Sequence, residues 1–447
     1  MAHRPLQRDL DIVLYGASGF TGRLVARYLA RHSAGVRVGL AGRSLERLRQ
    51  VRDEVSAAAA VSSSWDPPLL ECEASADEDL LRLAARSRVV ISTAGPFSVF
   101  GTPLVGACAA AGTHYVDING ETPWVRGLID RFDSASSFIV PNCGYTVPSD
   151  LGVLHAVRLL AERHDRPARS VRGLMQFNGK LSGGTMSTGI LLDCADEATQ
   201  AARRDPFLLG GVPPDGPRPE DTDPASAEFD ASLGCWTAPF WMADISSRVV
   251  RRSSALFREI PHGVPGRLLP SPYAPTFGYR ERALAKDQSV ARNMASPTPP
   301  AERRQRLIDR GKLPSPGQGP SEEVRARSWF RLFMVAEAAA DDARDGSEPQ
   351  VLTSVSGGDP GYDETSKMVA EAALLLACRP EELPCLPRRN GHVGGVVTPA
   401  FALGAPFVDA LCARGIDFQE HRISPGSTVA DEIRRLSESE PAVQVSR

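Results

Sequence analysis

Three glycines spaced three apart, Gly16, Gly19 and Gly22, punctuate the stretch LYGASGFTG at residues 14–22. The apolar run DIVLYG (11–16) precedes them and reads as a buried strand. FTGRLVARYLARH (20–32) follows, with Leu24, Val25, Tyr28 and Leu29 on one helical face and arginines opposite. A strand that turns into a helix in this way can use each glycine differently. One permits the tight turn, one lets the backbone approach a pyrophosphate without a Cβ in the way, and one lets helix and strand pack closely. The free N–H groups and the dipole of the helix start then favour an anion. Gly16, Ser18, Gly19, Phe20, Thr21 and Gly22 are therefore the expected phosphate cradle. The spacing is G-x-x-G-x-x-G rather than G-x-G-x-x-G, so the strand-before, helix-after context carries the reading.

The second strand, VRVGLAG (36–42), bears on which dinucleotide is bound. An NAD site usually ends this strand in an acid that holds the ribose hydroxyls. Here Arg43 and Ser44 follow, and Arg43 lies 21 residues past Gly22. A guanidinium suits a 2′-phosphate and a hydroxyl can add to it, so NADP(H) is the expected cofactor. Ligands in open α/β sheets lie off the carboxyl ends of the strands. Thr93, Ala94, Gly95 and Pro96 end SRVVISTAG (87–95), and their small size lets the backbone approach the ribose and nicotinamide. Asp117, Asn119, Gly120 and Glu121 end the next strand, and Asn142, Cys143, Gly144 and Tyr145 the one after. These ends should converge on the hydride.

The elements that must position them alternate in type. Strands at 11–16, 36–42, 87–95, 114–120 and 137–144 are separated by helices at 20–32, 44–55 and 101–112. That alternation predicts an α/β fold with an N-terminal Rossmann doubly wound parallel sheet over 1–148. The pattern changes near residue 150 to a second, mixed α/β domain over 149–360. Two proline-rich stretches in it, 211–232 and 296–323, read as mobile insertions or lids. DETSKMVAEAALLLAC (363–378) reads as a strong helix within a return segment, 361–426, and 427–447 as a loose polar tail.

Composition narrows the function classes. Lys plus Arg is 51 against 54 Asp plus Glu, which gives no electrostatic footprint for nucleic acid. The eight cysteines form no C-x-x-C pair and read as buried, reduced thiols rather than a zinc site; no metal is expected. The start MAHRPLQRDLD has no apolar leader core, and no apolar run reaches a membrane-spanning length. A cytoplasmic protein is the expectation. None of the seven tyrosines has a lysine four residues on, which disfavours short-chain dehydrogenases.

Longer motifs carry a family resemblance. STAGPFSVFGTPLVGACAAAGTHYVDINGE (92–121), PNCGYTVPSDLG (141–152), LSGGTMSTG (181–189), PFWMADISSRVVRRSSAL (239–256), FGYRE (277–281), GYDETSKM (361–368) and GGVVTPAFALG (394–404) resemble the saccharopine dehydrogenase-like oxidoreductase family. They are most similar to its branch of trans-acting enoyl reductases, and the likeness runs from about residue 11 to about residue 421. The resemblance implies NADPH-dependent reduction of an activated C=C bond in a lipid or polyketide intermediate, free or carrier-bound. It also implies a second domain that covers the nicotinamide and often makes a homodimer interface. A C=N or C=O reductase of the opine type, and a non-catalytic NADP(H)-binding sensor, are the alternatives.

For an enoyl substrate an acid must protonate the α-carbon and donors must steady the enolate oxygen. Tyr145 is the expected proton donor, with Lys180 or the amides of Ser182–Thr185 on the oxygen. Asp117 and Glu121 are further acid–base candidates, although Asp117 could instead bond neighbouring amides. Asp150 is expected to cap a helix starting at Leu151. Cys143 reads as a packed thiol. RVVRRS (248–253) reads either as a surface for an anionic carrier or as a strand edge or salt-bridged segment. The turn Gly144-Tyr145-Thr146-Val147-Pro148-Ser149-Asp150 departs from the Gly-Phe-Asp-Ser-x-Pro-x-Asp common in relatives and lacks its first carboxylate.

Overall fold

The computed structural model describes residues 8–58, 65–260, 271–339, 349–388 and 391–441 of the 447. Residues 1–7 of the start and 442–447 of the expected tail lie outside the described residues. The strands are β1 (Leu10–Tyr15), β2 (Val38–Gly42), β3 (Leu69–Glu71), β4 (Ser87–Ser92), β5 (His114–Asp117), β6 (Phe138–Val140), β7 (Ala168–Asn178), β8 (Glu228–Asp230), β9 (Cys235–Ala238), β10 (Tyr273–Ala285), β11 (Trp329–Ala338), β12 (Gln350–Gly357), β13 (Gly395–Val396) and β14 (Asp417–His421). The helices are α1 (Phe20–His32), α2 (Leu45–Ser56), α3 (Asp77–Arg86), α4 (Phe97–Ala111), α5 (Thr122–Phe132), α6 (Val147–His164), α7 (Gly183–Asp193), α8 (Glu197–Arg204), α9 (Ala243–Glu259), α10 (Gln288–Met294), α11 (Ala301–Asp309), α12 (Glu322–Ala326), α13 (Asp363–Cys378), α14 (Pro399–Cys412) and α15 (Val429–Ser437).

Consecutive apolar residues in β1 and β4 can only be buried if both faces of a sheet are covered. Ile12, Val13, Leu14, Val89, Val90 and Ile91 are all fully buried. Their sheet has the order β13-β6-β5-β4-β1-β2-β3, and every pairing in it is parallel. This is the doubly wound sheet expected from the alternation. A second sheet, β14-β12-β11-β7-β10-β9-β8, is antiparallel except between β7 and β10. The apolar stripe of α1 buries Val25, Ala26 and Leu29, and Ser44 caps α2 by accepting from Arg47 N–H at 3.4 Å.

The chain returns to the first sheet late. α13 packs on α1, β1 and β4, and β13 adds to β6, whereas β14 pairs with β12 of the second sheet. Helix α13 is buried almost all round, more than its apolar stripe suggested. Its charges are absorbed by partners. Lys367 sits 2.7 Å from Glu364 and 2.7 Å from the Arg414 carbonyl, and Glu371 accepts from the Tyr28 hydroxyl at 2.6 Å.

Several expectations are corrected. Of the readings of the 248–253 run, the salt-bridged segment holds and the strand edge and anion-meeting surface do not: the run lies inside α9, with Arg248, Arg251 and Arg252 buried. Arg248 pairs with Asp223, and Arg252 with Asp133 at 3.0 Å. The two proline-rich stretches are not simply loose lids. The first buries Asp221 beneath Arg218 and contains β8, and the second contains α11. The tail from 427 holds a capped helix, α15, because Thr428 and Asp431 satisfy each other's amides and Ile433 finds an apolar face of the second sheet. Asp150 does not cap a helix at Leu151. The helix starts at Val147, and the Asp150 carboxylate instead accepts from Ser253 and from Ala400 N–H at 2.8 Å. The cysteines are all free, but Cys194, Cys378, Cys385 and Cys412 are exposed rather than buried.

Arg251 gives a test of this arrangement. Its guanidinium donates to the Pro206, Asp221 and Tyr279 carbonyls at 2.8, 3.0 and 3.0 Å and lies over the Phe207 ring. Arg251→Met strands three carbonyls at roughly 1 kcal/mol each. Urea unfolding should show a loss of about 3 kcal/mol, and a loss near zero would place the side chain in solvent.

Candidate active site

The glycine turn is built as its spacing required. Gly16 has φ +84°, and a Cβ there would lie 2.9 Å from both the Ala94 nitrogen and the Thr93 hydroxyl. A Cβ at Gly22 would lie 2.3 Å from the Gly16 carbonyl. Gly19 is the N-cap of α1; no side chain caps that helix and its first turn holds no acid, so no side chain takes its leading amides from an anion. The Thr93 hydroxyl donates to the Tyr15 and Gly16 carbonyls at 3.2 and 3.1 Å and pins the end of β4 to the turn. Arg43 is exposed at the end of β2 and makes no hydrogen bond or ion pair among the described residues. A cradle that only glycine permits, open amides and an unengaged guanidinium fit the phosphates of NADP(H).

A cavity of about 670 Å³ opens off the carboxyl ends of β1, β4, β5 and β6. Gly19, Phe20, Thr21, Thr93, Gly95 and Pro96 line it. Gly16, Ser18, Gly22, Ala94, Arg43 and Ser44 do not: the first four shape or flank the turn, and the last two mark the end of β2. The second sheet and its helices supply the roof, through Phe177, the 179–182 loop, α7 and the start of α9. Residues 315–319, part of the stretch expected to be mobile, are pressed onto this roof. Gly183 N–H donates to the Gln318 carbonyl at 3.0 Å, and a Cβ on Gly183 would fall 1.9 Å from the Ser315 oxygen. A Cβ on Gly319 would fall 2.3 Å from the Phe20 ring. Phe20 in turn meets Tyr362 edge to face at 5.2 Å.

The expected catalytic groups divide. Asp117 is fully buried and does not line the cavity. Its carboxylate accepts from Asn119 N–H (3.1 Å), the Asn119 amide (2.6 Å), Asn142 N–H (2.9 Å) and the Tyr115 hydroxyl (3.0 Å). These bonds match the reading of Asp117 as a carboxylate that holds neighbouring amides, while burial pushes its pKa up to about 6. Glu121 lines the cavity, but both its oxygens are engaged at the start of α4, by Phe97 N–H at 2.6 Å and Ser98 N–H at 2.9 Å. The amides of Ser182–Thr185 are mostly spent as well: Ser182 N–H donates to the Tyr362 hydroxyl, Gly183 to Gln318, and Thr185 to the Ser182 hydroxyl that caps α7. Cys143 is a buried thiol whose pKa burial raises. Tyr145 and Lys180 both line the cavity, Lys180 at its exposed rim.

Sequence reading missed two carboxyls beside Tyr145, because they lie on other elements, more than 130 residues away. Glu281, on β10, accepts from the Tyr279 hydroxyl at 2.5 Å, and burial pushes its pKa up to about 7. Asp359, in the loop between β12 and α13, lines the cavity, and burial pushes it up to about 6. Burial first, and then these two carboxyls, hold the Tyr145 phenol well above its ordinary value. Among the described residues no cluster of metal-ligating side chains occurs, and no helix is long and apolar enough to cross a membrane.

Comparison with known proteins gives three findings. Residues 12–140 match the model of the saccharopine dehydrogenase NADP binding domain. A Mycobacterium tuberculosis relative is 35% identical over 439 residues, 93% of this chain and 99% of its own. Trans-acting enoyl reductases of Mycobacterium ulcerans and Mycobacterium bovis BCG are 33% and 32% identical over 431 residues, covering 91% and 92% of this chain and 96% of each relative. Among solved structures, the glutamate-forming saccharopine dehydrogenase of Saccharomyces cerevisiae aligns with a TM-score of 0.48 at 14% identity, over 93% of this chain and 100% of that one. NADP(H) is the cofactor of the N-terminal domain.

Two outcomes follow. In a fluorescence titration, Arg43→Ala should weaken NADPH by roughly 10–100-fold, the worth of a charge-assisted pair, and leave NADH unchanged. Equal effects on both nucleotides would move the 2′-phosphate elsewhere. Glu281 should also shape the pH dependence of stability. Its folded pKa of about 7 exceeds the ordinary 4.5, so the folded protein keeps a proton that the unfolded chain releases. The stability this proton confers is full below 4.5 and is lost as pH rises through about 7. Glu281→Gln should therefore flatten urea midpoints over that window; an unaltered slope would refute the assignment.

Proposed function

The chain belongs to the saccharopine dehydrogenase-like oxidoreductase family, alongside the trans-acting enoyl reductases, and from that premise we propose that it reduces an activated C=C bond in an acyl or polyketide thioester with NADPH. NADPH supplies the hydride; Gly19, Phe20 and Thr21 would hold its phosphates, Arg43 its 2′-phosphate, and Thr93, Gly95 and Pro96 its ribose and nicotinamide. The observation that carries the substrate class is the lining of the cavity. Phe97, Ile118, Phe177, Leu181, Leu192, Trp241, Met242 and Ile245 make it largely apolar, suited to an acyl chain and to excluding water from the reacting carbons.

An opine-type reaction needs cations for the carboxylates of amino and keto acids. Among the described lining residues only Lys180 and Arg203 qualify, and Arg203 is engaged by Asp193 at 3.2 Å. That pairing favours the enoyl reading. A carrier-bound substrate would present its thioester at the rim, where Lys180 offers its ammonium to the carbonyl oxygen.

Tyr145 acts here as a hydrogen-bond donor to the developing enolate oxygen. Its raised pKa makes tyrosinate costly next to Glu281 and Asp359, so the phenol keeps its proton and stays a donor. The test is absorbance-followed NADPH oxidation with an enoyl N-acetylcysteamine thioester, run against an amine plus a keto acid. Turnover is expected with the thioester alone, and Tyr145→Phe should lower kcat about 100-fold, the cost of one oxyanion donor. Turnover only with the amine and keto acid would replace this reading with the opine type.

A further inference from the structure

The 144–150 turn offers the cavity no carboxylate. Its one acid, Asp150, points away, to Ser253 and the Ala400 amide. The cavity nevertheless has a buried carboxyl from across the gap. Asp359 is 2% exposed and lines the cavity. Its Oδ2 accepts from Tyr362 N–H at 2.8 Å and Asp363 N–H at 3.0 Å, while its Oδ1 is buried without a partner. The loop that carries it is wedged between two parts of the site. Thr365, just beyond it, bonds the Pro360 carbonyl at 3.0 Å and reaches 3.1 Å from where a Gly144 Cβ would stand. On the other side, a Cβ on Gly179 would lie 4.0 Å from Asp359 Oδ1.

The other carboxyls of the lining differ from it. Glu121 has both oxygens on amides of α4. Asp244 also has a buried oxygen without a partner, but the Arg203 guanidinium stands 3.8 Å from its other oxygen and a third of its side chain is in solvent. The cation that acts on Asp359, Arg325 of α12, has its guanidinium bonded to Asp363 at 2.8 Å. The remaining charged and titratable groups around Asp359 are Asp363 of α13 and the phenols of Tyr145 and Tyr362; exposed Lys180 lines the same cavity. A buried carboxyl with an unpartnered oxygen and no cation of its own holds a proton more readily than an exposed one.

Resting on the enoyl reading, we propose that Asp359 is the general acid of this cavity. As the β-carbon receives hydride, the C=C electron pair moves onto the enolate. The α-carbon then takes the proton from the Asp359 carboxyl. This leaves a carboxylate, which regains a proton from water at the mouth. Product and consumed reactants balance as one hydride and one proton added across the double bond. Tyr145 keeps its own proton and holds the oxygen, so Asp359 takes over the proton transfer expected of Tyr145 from the sequence.

The test has two readouts. Infrared titration of the protein without substrate should show a protonated-carboxyl signal that titrates near pH 6 in the wild-type minus Asp359→Asn difference, beside the bands of other buried carboxyls, Glu281 among them, which both proteins keep. With the enoyl N-acetylcysteamine thioester, Asp359→Asn should lower kcat by roughly 10²–10⁴-fold, the usual worth of a general acid. NADPH affinity should stay unchanged, and Asp359→Glu should recover part of the rate with a displaced acid limb. A difference spectrum without that signal, or an unchanged kcat, overturns the proposal. A wild type inert toward the thioester, whose difference spectrum nonetheless carries the signal, removes the enoyl substrate while supporting Asp359 as a proton-holding group of the cavity.

Discussion

The site depends on one buried carboxylate. Asp117 ends β5 and gathers four donors from three elements: Asn119 beyond its own strand, Asn142 beyond β6, and Tyr115 within β5. Its own carbonyl accepts from Cys143 N–H at 2.7 Å. Asn142, held at φ +64°, passes the tie on: its side chain donates to the Asn119 carbonyl at 2.8 Å and its carbonyl accepts from Thr146 at 2.6 Å. Burying an ionisable group is costly unless it is satisfied, and a satisfied one rigidifies its surroundings. The knot fixes the turn that carries Tyr145 relative to the strand end that carries Gly120 and Glu121. Glu121 then clamps the start of α4, next to Gly95 and Pro96.

A second constraint sets the roof. The cavity is a joint between two sheets, so its shape depends on what keeps them in register. Helices α9 and α13 do this with buried charge rather than with apolar stripes alone. The α9 arginines bond backbone carbonyls and carboxylates of the 203–223 segment, β10 and the ends of α5 and β13. Breaking such a contact strands a polar group in the interior, so these joints resist sliding. At the rim, Gly183 and Gly319 let the 315–319 segment approach α7 and Phe20 within distances that no side chain would allow.

Much of this was legible in the sequence. The strand–glycine–helix start, the parallel sheet, α1, α2 and α13 follow from local signals: apolar runs, a helical stripe, a serine cap. Arg43 and the strand ends at Thr93 and Tyr145 followed from topology, since ligands lie off strand carboxyl ends. Other features were not legible. For the 248–253 arginines the sequence left a carrier surface, a strand edge and a salt-bridged segment open, because charge is usually solvated, and only the partners Asp223, Asp221 and Asp133 decide for the last. Proline-rich stretches read as mobile, yet packing against Gly183 and Phe20 orders part of one.

What the sequence by itself determined is the cofactor half: a glycine spacing that admits phosphate and an arginine where an acid would otherwise stand. Both are short-range properties of one βαβ unit. The catalytic half was decided by tertiary structure. Asp117 stood open between an acid and a holder of amides until its four donors were in place, and Asp359 carries no motif. Whether a carboxyl knots a fold or holds a proton depends on what surrounds it, and those surroundings come from residues far apart in the chain.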